Sequence, residues 1–198
     1  MTGVDGDRFE RAIAAIDAAN ADDPATTVVR GEVRPKELAH AELMTGWVTR
    51  LDPSATEAQL LAARAHHLRR WTLPRDRYPD GRSGYLRWRT ALKKQHADEV
   101  AGILAGVGYA DDTIAVVQGI VKKVGLGKDP AVQVHEDALC LTFLETQLAE
   151  LADRLGDEHM LDVIQKTAAK MSPAGLAEVA AIEMRDHDRA LIARALSA

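Results

Sequence analysis

Apolar residues recur every three to four positions along most of this chain, which is the spacing of one face of an α-helix. Phe9, Ile13 and Ile16 show this spacing near the start of the chain. No segment alternates apolar with polar residues over the length of a β-strand. The periodicity therefore predicts an all-α protein in which six to eight helices form one bundle.

Capping and helix-breaking residues place the ends of eight predicted helices. Ser54 and Glu57 form a capping-box pattern, and Pro35 and Pro130 suit the first turn of a helix. The predicted helices span residues 7–19, 35–51, 54–71, 83–105, 111–124, 130–156, 157–170 and 172 to nearly the end of the chain. Residues 20–34, rich in Asp, Asn, Thr and Gly, are predicted to form a connector. We expect a single domain over residues 1–198, with an appended helical hairpin at about 157–197.

The composition excludes several classes of protein. No apolar run approaches the roughly 18 residues of a membrane span, so we expect no membrane partner. The single cysteine, Cys140, excludes an internal disulfide framework and a cysteine-based zinc site. A formal net charge of −5 argues against a protein that coats nucleic acid with its whole surface. Without a secretory signal pattern near the start, the expected location is cytoplasmic.

Positive charge is concentrated in one segment, residues 64–96. Ten Lys and Arg residues but only two acids lie between Arg64 and Lys94, so this part carries +8 and the rest of the chain −13. Guanidinium groups bind phosphate and carboxylate through paired donors, and four Trp and Tyr residues are interleaved with them. The pattern predicts an anionic small molecule or nucleotide as partner, and a short RNA would satisfy the same features. The candidate anion-binding residues are Arg69, Arg70, Arg75, Arg87, Arg89 and Lys94. Alternatively, these cations pair with acids on neighbouring helices, including Glu37, Glu42, Glu136 and Glu145.

Histidines and acids on separate predicted helices form the second candidate site. They are His40, His66, His67, His96, His135 and Asp137. Helical bundles commonly build metal sites from side chains on facing helices, and imidazole with carboxylate suits Mn, Fe, Ni or Zn. The alternative for each histidine is a hydrogen-bonded core or surface position without a ligand.

The order of these residues resembles the HD-domain superfamily of metal-dependent phosphohydrolases over roughly residues 35–145. In that family a His, a His-Asp pair and a distal Asp bind metal on an all-helical scaffold. The resemblance assigns His40 to the first His, His66 to the second and Asp137 to the last Asp. His67 stands where the family has the Asp of the pair, and His96 is similar to an additional His of some members. The resemblance implies an HD-like bundle and a divalent transition metal.

A second resemblance, to the family called domain of unknown function 4202, covers most of the chain. The motifs that carry it are Pro35-Lys36-Glu37-Leu38, Met44-Thr45, Ala62-Ala63-Arg64-Ala65, His67-Leu68-Arg69-Arg70-Trp71, Pro74-Arg75, Gly84-Tyr85-Leu86-Arg87-Trp88-Arg89, His96, Glu136-Asp137 and Cys140-Leu141. This family brings no assigned reaction.

Three functional hypotheses follow. The first is metal-dependent hydrolysis of a phosphorylated small molecule or nucleotide, with His40, His66, His67 and Asp137 as metal ligands and His96 and Lys94 as catalytic groups. The second is a non-catalytic nucleotide- or RNA-binding protein, because the signature pair is His-His where the family has His-Asp. The third is an iron-dependent oxygenase, since some HD-like proteins use a di-iron centre. A purely structural interaction module is the remaining alternative.

Overall fold

The computed structural model describes residues 3–29 and 31–197, and helices dominate these ranges. The helices are α1 (Gly3–Ala21), α2 (Lys36–Leu51), α3 (Glu57–Arg64), α4 (Gly81–Gly106), α5 (Asp111–Lys122), α6 (Pro130–Thr146), α7 (Leu148–Leu155), α8 (Asp157–Ala168), α9 (Pro173–Glu178) and α10 (Asp186–Leu196). Single 3₁₀ turns lie at Arg70–Thr72, Arg75–Arg77 and Val179–Ala181. Two short strands, β1 (Thr26–Val29) and β2 (Glu32–Pro35), form one antiparallel hairpin.

The predicted helical class is confirmed, but the predicted number of six to eight helices is too low for the described part of the chain. Two of the predicted helices are each divided. The first breaks at Gln147, which separates α6 from α7, and the second is interrupted before α10 begins at Asp186. Gln147 follows a helical pattern of side chains without a Gly or Pro, so the apolar periodicity gave no signal of the break.

The hairpin lies in the segment that was predicted to be a connector. β1 consists of β-branched residues, which favour a pleated strand, and Gly31 takes a positive φ of 83° at the turn. The register pairs Thr26 with Pro35 and Val28 with Val33. Each strand is only four residues long, which is too short for alternation to stand out in the sequence.

Helix α3 ends earlier than predicted, and this places the histidine pair in a turn. Thr56 and Gln59, instead of Ser54 and Glu57, form the capping box. The helix ends at Arg64 instead of near Trp71, so His66 and His67 lie in the turn that follows. Arg69 closes this turn in the left-handed conformation, with φ 48°. Such a conformation costs a non-glycine residue about 1–2 kcal/mol, which the surrounding contacts must offset.

Two hydrophobic clusters form the core, and α3 lies between them. The first joins α1, α3, α4 and α5 around residues such as Leu61 and Leu104. The second joins α2, α6, α8 and α10 around residues such as Leu141. Each fully buried leucine contributes about 1.5–3 kcal/mol relative to exposure. Ala62 packs into the first cluster and Ala63 into the second, so the turn after α3 emerges at their junction. In the described ranges, no helix has the length and apolar character that a membrane span requires.

Candidate metal centre and its cavity

Five histidines from four parts of the chain lie together where the two hydrophobic clusters meet. His40 comes from α2, His66 and His67 from the turn after α3, His96 from α4 and His135 from α6. The ring centroids of His40 and His67 are 4.2 Å apart, and those of His66 and His67 are 4.5 Å apart. His135 lies 4.8 Å from His66, and His96 lies 5.9 Å from His67. The structure therefore brings together histidines that the sequence separates by up to 95 positions.

Three of these imidazoles are arranged as a group that could hold a metal ion. One nitrogen each from His40, His66 and His67 lies within 4.8 Å of the other two. Nitrogen ligands bind zinc at about 2.0–2.1 Å, so two ligands of one ion are at most about 4.2 Å apart. Side-chain movements of less than about 1 Å would therefore close the set. The buried Nε2 of His40 has no hydrogen-bond partner among the residues that the structure describes. Three imidazoles are a ligand set of catalytic zinc sites. The donor set fits a transition metal ion.

The contacts of His67 determine which of its nitrogens carries the proton. Arg70 Nη1 lies 3.2 Å from His67 Nε2, and a guanidinium only donates hydrogen bonds. His67 Nε2 is therefore the acceptor, and Nδ1 carries the hydrogen. Nδ1 lies 3.0 Å from a carboxylate oxygen of Glu37, to which it donates. Metal-bound histidines commonly have such a carboxylate partner, which orients the ring and leaves the other nitrogen to the metal.

His66 and His96 are fixed by similar contacts. His66 Nδ1 lies 2.8 Å from His135 Nε2, which leaves Nε2 as the nitrogen that His66 can offer to a metal. His96 Nδ1 donates to the backbone carbonyl of Leu68 at 2.9 Å. The neutral His96 ring therefore presents an unprotonated Nε2, which is buried without a partner in the structure.

Burial keeps all five imidazoles neutral at physiological pH. It lowers the pKa of His40 and His135 to about 3 and that of His96 to about 4. Burial, followed by neighbouring histidines, also lowers the pKa of His66 and His67 well below the ordinary value. A metal binds neutral imidazole, so the site needs no proton release from these rings near neutral pH.

Side chains from α1 and α4 fix the turn that carries the histidine pair. Asn20, fully buried on α1, accepts a hydrogen bond from the backbone N–H of Arg69 at 3.1 Å. His96 binds the Leu68 carbonyl, and Gln95 donates to the carbonyl of Arg69 at 3.2 Å. These contacts offset the cost of the left-handed Arg69 and hold both imidazoles in one orientation.

A cavity of about 550 Å³ opens beside the histidines, and His40 and His67 form part of its wall. This volume lies in the range of small-molecule sites. Seven cationic side chains line it: Lys36, Arg70, Arg89, Lys123, Arg154, Lys166 and Lys170. Within the described ranges, the acidic residues that line it are Glu37 and Glu136, and Lys123 forms a buried ion pair with Glu136. The excess of positive charge makes the cavity suitable for an anion.

Only two of the predicted anion-binding residues line this cavity, namely Arg70 and Arg89. The others lie outside it. Arg75 donates to the backbone carbonyls of Tyr78 and Pro79 at 2.8 and 2.9 Å, so it holds the loop before α4. The side chains of Arg69 and Arg87 are exposed outside the cavity. Lys94, predicted as catalytic, is also exposed and pairs with Asp98 one turn along α4.

The predicted pairing of the cationic segment with four glutamates occurs in part. Arg64 lies 3.6 Å from Glu42, and Arg70 lies 3.8 Å from Glu37. Glu145 instead accepts a hydrogen bond from the Trp47 indole. The segment is therefore not neutralised by these glutamates, and two of its arginines face the cavity.

The structure does not bring Asp137 to the histidine group, so the prediction of this residue as a metal ligand is corrected. Its carboxylate accepts a hydrogen bond from the backbone N–H of Ser172 at 2.8 Å and another from the Ser172 hydroxyl. It packs against Gly175, where an added Cβ would lie 2.6 Å from the Asp137 Cγ. Because two helix positions differ by about 200°, Asp137 and His135 project to opposite sides of α6. Asp137 thus holds the start of α9.

Sequence reasoning missed several lining residues. Glu37 was considered only as a partner of the cationic segment and His135 only as a member of the histidine group, so their contacts with His67 and His66 were not predicted. Lys36, Arg154, Lys166 and Lys170 come from three separate segments outside the cationic segment. Lys123, at the end of α5, is buried against Glu136. Isolated cations in an acidic part of the chain give no local signal of convergence.

A family model described as "Domain of unknown function (DUF4202)" matches residues 10–192. The match includes all of the candidate metal centre and the cavity lining. No curated protein and no solved structure matches the chain. The resemblance to the HD-domain superfamily therefore stays a prediction.

Proposed function

This chain belongs to the family described as a domain of unknown function (DUF4202), and we propose that it is a metal-dependent hydrolase of a phosphorylated small molecule. The observation that supports this most strongly is the position of the histidine group. Nitrogens of His40, His66 and His67 lie within 4.8 Å of one another, and two of these residues line a cavity rich in lysine and arginine. Metal ligands beside several cations are an arrangement suited to phosphoryl chemistry.

The chain's own residues would divide the work as follows. His40, His66 and His67 hold a divalent transition metal ion, with Mn, Fe, Ni and Zn all compatible with imidazole ligands. When bound, such an ion acts as a Lewis acid toward a phosphoryl oxygen and makes water more acidic. Arg70 and Arg89 bind the remaining phosphoryl oxygens and stabilise the charge that develops on them.

His96 has the position of a general base. Its unpartnered Nε2 belongs to a ring that lines a small chamber of about 20 Å³, together with His66, Arg70 and Arg89. This chamber has room for one water molecule. In the proposed reaction the water oxygen bonds to phosphorus, the bond from phosphorus to the leaving oxygen breaks, and His96 accepts the water proton. The leaving oxygen takes a proton from solvent.

The test uses protein purified without a histidine tag, stripped of metal and reloaded with one metal at a time. Phosphate release is measured with p-nitrophenyl phosphate and a panel of nucleotides. We expect one metal to stimulate turnover, and we expect His67→Ala to abolish both metal retention and turnover. The matched control is His159→Ala, because His159 is exposed on α8. Absence of metal retention together with absence of metal-stimulated phosphate release would reject the proposal.

A second candidate is a non-catalytic nucleotide-binding protein. The exposed ring of Tyr85, with Trp88 at a centroid distance of 5.9 Å, lines the cavity and offers a surface on which a base can stack. This function predicts binding that weakens with salt and with Arg89→Gln, without turnover. The third hypothesis, an iron oxygenase, predicts iron-dependent consumption of dioxygen by the same preparations.

A further inference from the structure

We infer that the substrate of this site carries a second anionic group, separated from its phosphoryl group by an apolar body. The inference rests on the proposed function for the identity of the first group. It arises from the distribution of charge over the two sides of the cavity, which differ in the helices that form them.

Helix α6 forms the floor between these two sides. The cavity-lining residues of α6 form a stripe along one face of the helix, and they are Glu136, Leu139, Cys140 and Phe143. Gln147 lines the cavity just after the helix ends. At 1.5 Å per residue, the seven positions from Glu136 to Phe143 correspond to about 10 Å. The middle of this stripe is apolar, and Phe143 and Leu139 are only partly buried by the protein.

The first side of the cavity is the one already assigned to the phosphoryl group. It contains the histidines together with Lys36, Arg70 and Arg89 from α2, the turn after α3 and α4. Glu37 lies on the same side and contacts both His67 and Arg70. Positive and negative groups are therefore both present next to the candidate metal ligands.

The second side comes from α7, α8 and the residues that follow α8. Its cations are Arg154, Lys166 and Lys170, and no acidic residue of these elements lines the cavity. Lys166 lies in the last turn of α8, and Lys170 lies in the turn that follows the helix. Lys166 also contacts Asp162 at 2.6 Å, but Asp162 is not part of the cavity wall. Leu151 and Val163 lie among these cations and continue the apolar surface of α6.

Charge matching then indicates the class of ligand. Seven cations and two acids line the cavity, whereas a phosphate monoester carries only about −1.5 to −2 at pH 7. A single phosphoryl group beside the histidines would leave Arg154 and Lys170 without a ligand anion and Lys166 with Asp162 alone. A second phosphate or carboxylate opposite would pair with them, and the carbon skeleton between the two anions would cover Leu139 and Phe143.

The test uses ligands that cannot be hydrolysed, so that it does not depend on turnover. Binding of hexane-1,6-bisphosphonate and of hexylphosphonate is measured by calorimetry at the same ionic strength. We expect the bisphosphonate to bind about ten-fold or more tightly, because it gains charge-assisted hydrogen bonds on the second side. The double variant Lys166→Gln/Lys170→Gln should lose most of this preference while its affinity for hexylphosphonate changes less than about two-fold.

A matched double variant, Lys122→Gln/Lys128→Gln, removes two cations that do not line the cavity and should retain the preference. Equal affinity of the wild type for both ligands would overturn the inference, as would an equal loss of both affinities in the Lys166/Lys170 variant. The proposed function fails separately. If the wild type shows no metal-dependent turnover, the hydrolase is rejected. If the His67→Ala variant nevertheless still prefers the bisphosphonate, the two-sided anion site remains in place.

Discussion

His67 is held between a carboxylate and a guanidinium, with Nδ1 3.0 Å from Glu37 and Nε2 3.2 Å from Arg70. The first contact fixes the proton on Nδ1, and the second places a cation at the nitrogen that a metal would use. Arg70 also stacks on the ring of Trp88 at 5.0 Å, which supports its side chain away from bulk solvent. This relationship connects metal binding, the cavity and the orientation of the histidine group, and the first two predictions depend on it.

Replacing Glu37 with glutamine should weaken metal binding about 10- to 100-fold. A neutral amide no longer raises the basicity of His67 and accepts the Nδ1 hydrogen more weakly than a carboxylate does. The measurement is a competition titration of Zn against a chelator. Glu42→Gln is the control, since Glu42 lies on the same helix and pairs with Arg34. Equal metal affinity of the Glu37 variant and wild type would show that this contact does not position a ligand.

Replacing Arg70 with glutamine should have opposite effects on metal binding and turnover. Without phosphate, metal affinity should rise several-fold, because a competing cation and donor is removed from His67 Nε2. The kcat/KM for a phosphate monoester should fall about 100-fold, because the phosphoryl oxygens lose a charged donor. Arg87→Gln removes an exposed arginine of α4 and should leave both quantities unchanged. A loss of metal affinity in the Arg70 variant would contradict the assignment.

Replacing Asp137 with alanine should reduce stability without removing the metal. The backbone N–H and hydroxyl of Ser172 would lose their partner, at a cost of about 1–3 kcal/mol in the free energy of unfolding. The measurements are urea unfolding of the metal-free protein and the metal content of the folded variant. A folded Asp137→Ala protein that retains no metal would show that Asp137 is a ligand after all.

The metal-free protein should lose stability between pH 7 and pH 4. The unfolded chain binds protons at its histidines near about pH 6.5, whereas in the folded protein the pKa of His40 and His135 is about 3 and that of His96 about 4. The unfolded state therefore binds more protons in this window, and the free energy of unfolding falls as the pH falls. Stability from these groups is present above about pH 6.5 and is lost on acidification.

Glu37 acts in the opposite direction. Burial raises its pKa to about 7, so the folded state binds one proton more than the unfolded state between about pH 4.5 and 7, and this contribution is lost as the pH rises through about 7. Five histidines with a lowered pKa oppose this single raised one, so the net effect near pH 5 is a free energy of unfolding that falls as the pH falls. Urea midpoints at several pH values measure it. His159→Gln should keep the slope and His96→Gln should reduce it, and a midpoint independent of pH would contradict the burial of the cluster.

The sequence predicted the histidines of the site better than their surroundings. His40, His66 and His67 were found because each stands in a family-like order on helix-forming segments, and packing of α2, α3 and α4 brings them together. Asp137 belonged to the same order, but it projects from the side of α6 opposite to His135. Because apolar residues occur all round this helix, their spacing in the sequence does not show in which direction Asp137 projects. The shorter α3, which turns His66 and His67 out of a helix, depends on contacts with Asn20 and His96 from distant helices.

The anion-binding side was predicted only in part for a related reason. Arg70 and Arg89 were found by local charge density. The same criterion selected Arg75, which binds carbonyls of the loop before α4, and Arg87, which is exposed outside the cavity. Lys166 and Lys170 lie in a region of mixed charge, so their contribution follows only from the packing of α8 beside α6. A count of charges along the chain gives the density of charge in the sequence. A binding cavity depends on the direction in which each side chain projects from the folded backbone.

The central claim is that His40, His66 and His67 together hold one transition metal ion. An anomalous difference map from crystals of tag-free protein, collected on both sides of the absorption edge of the metal found by elemental analysis, tests it directly. The account predicts a single strong peak about 2.0–2.3 Å from one nitrogen of each of the three imidazoles, with Glu37 still bonded to His67. A map without a peak at the histidine group, from protein crystallised with excess metal, would contradict it.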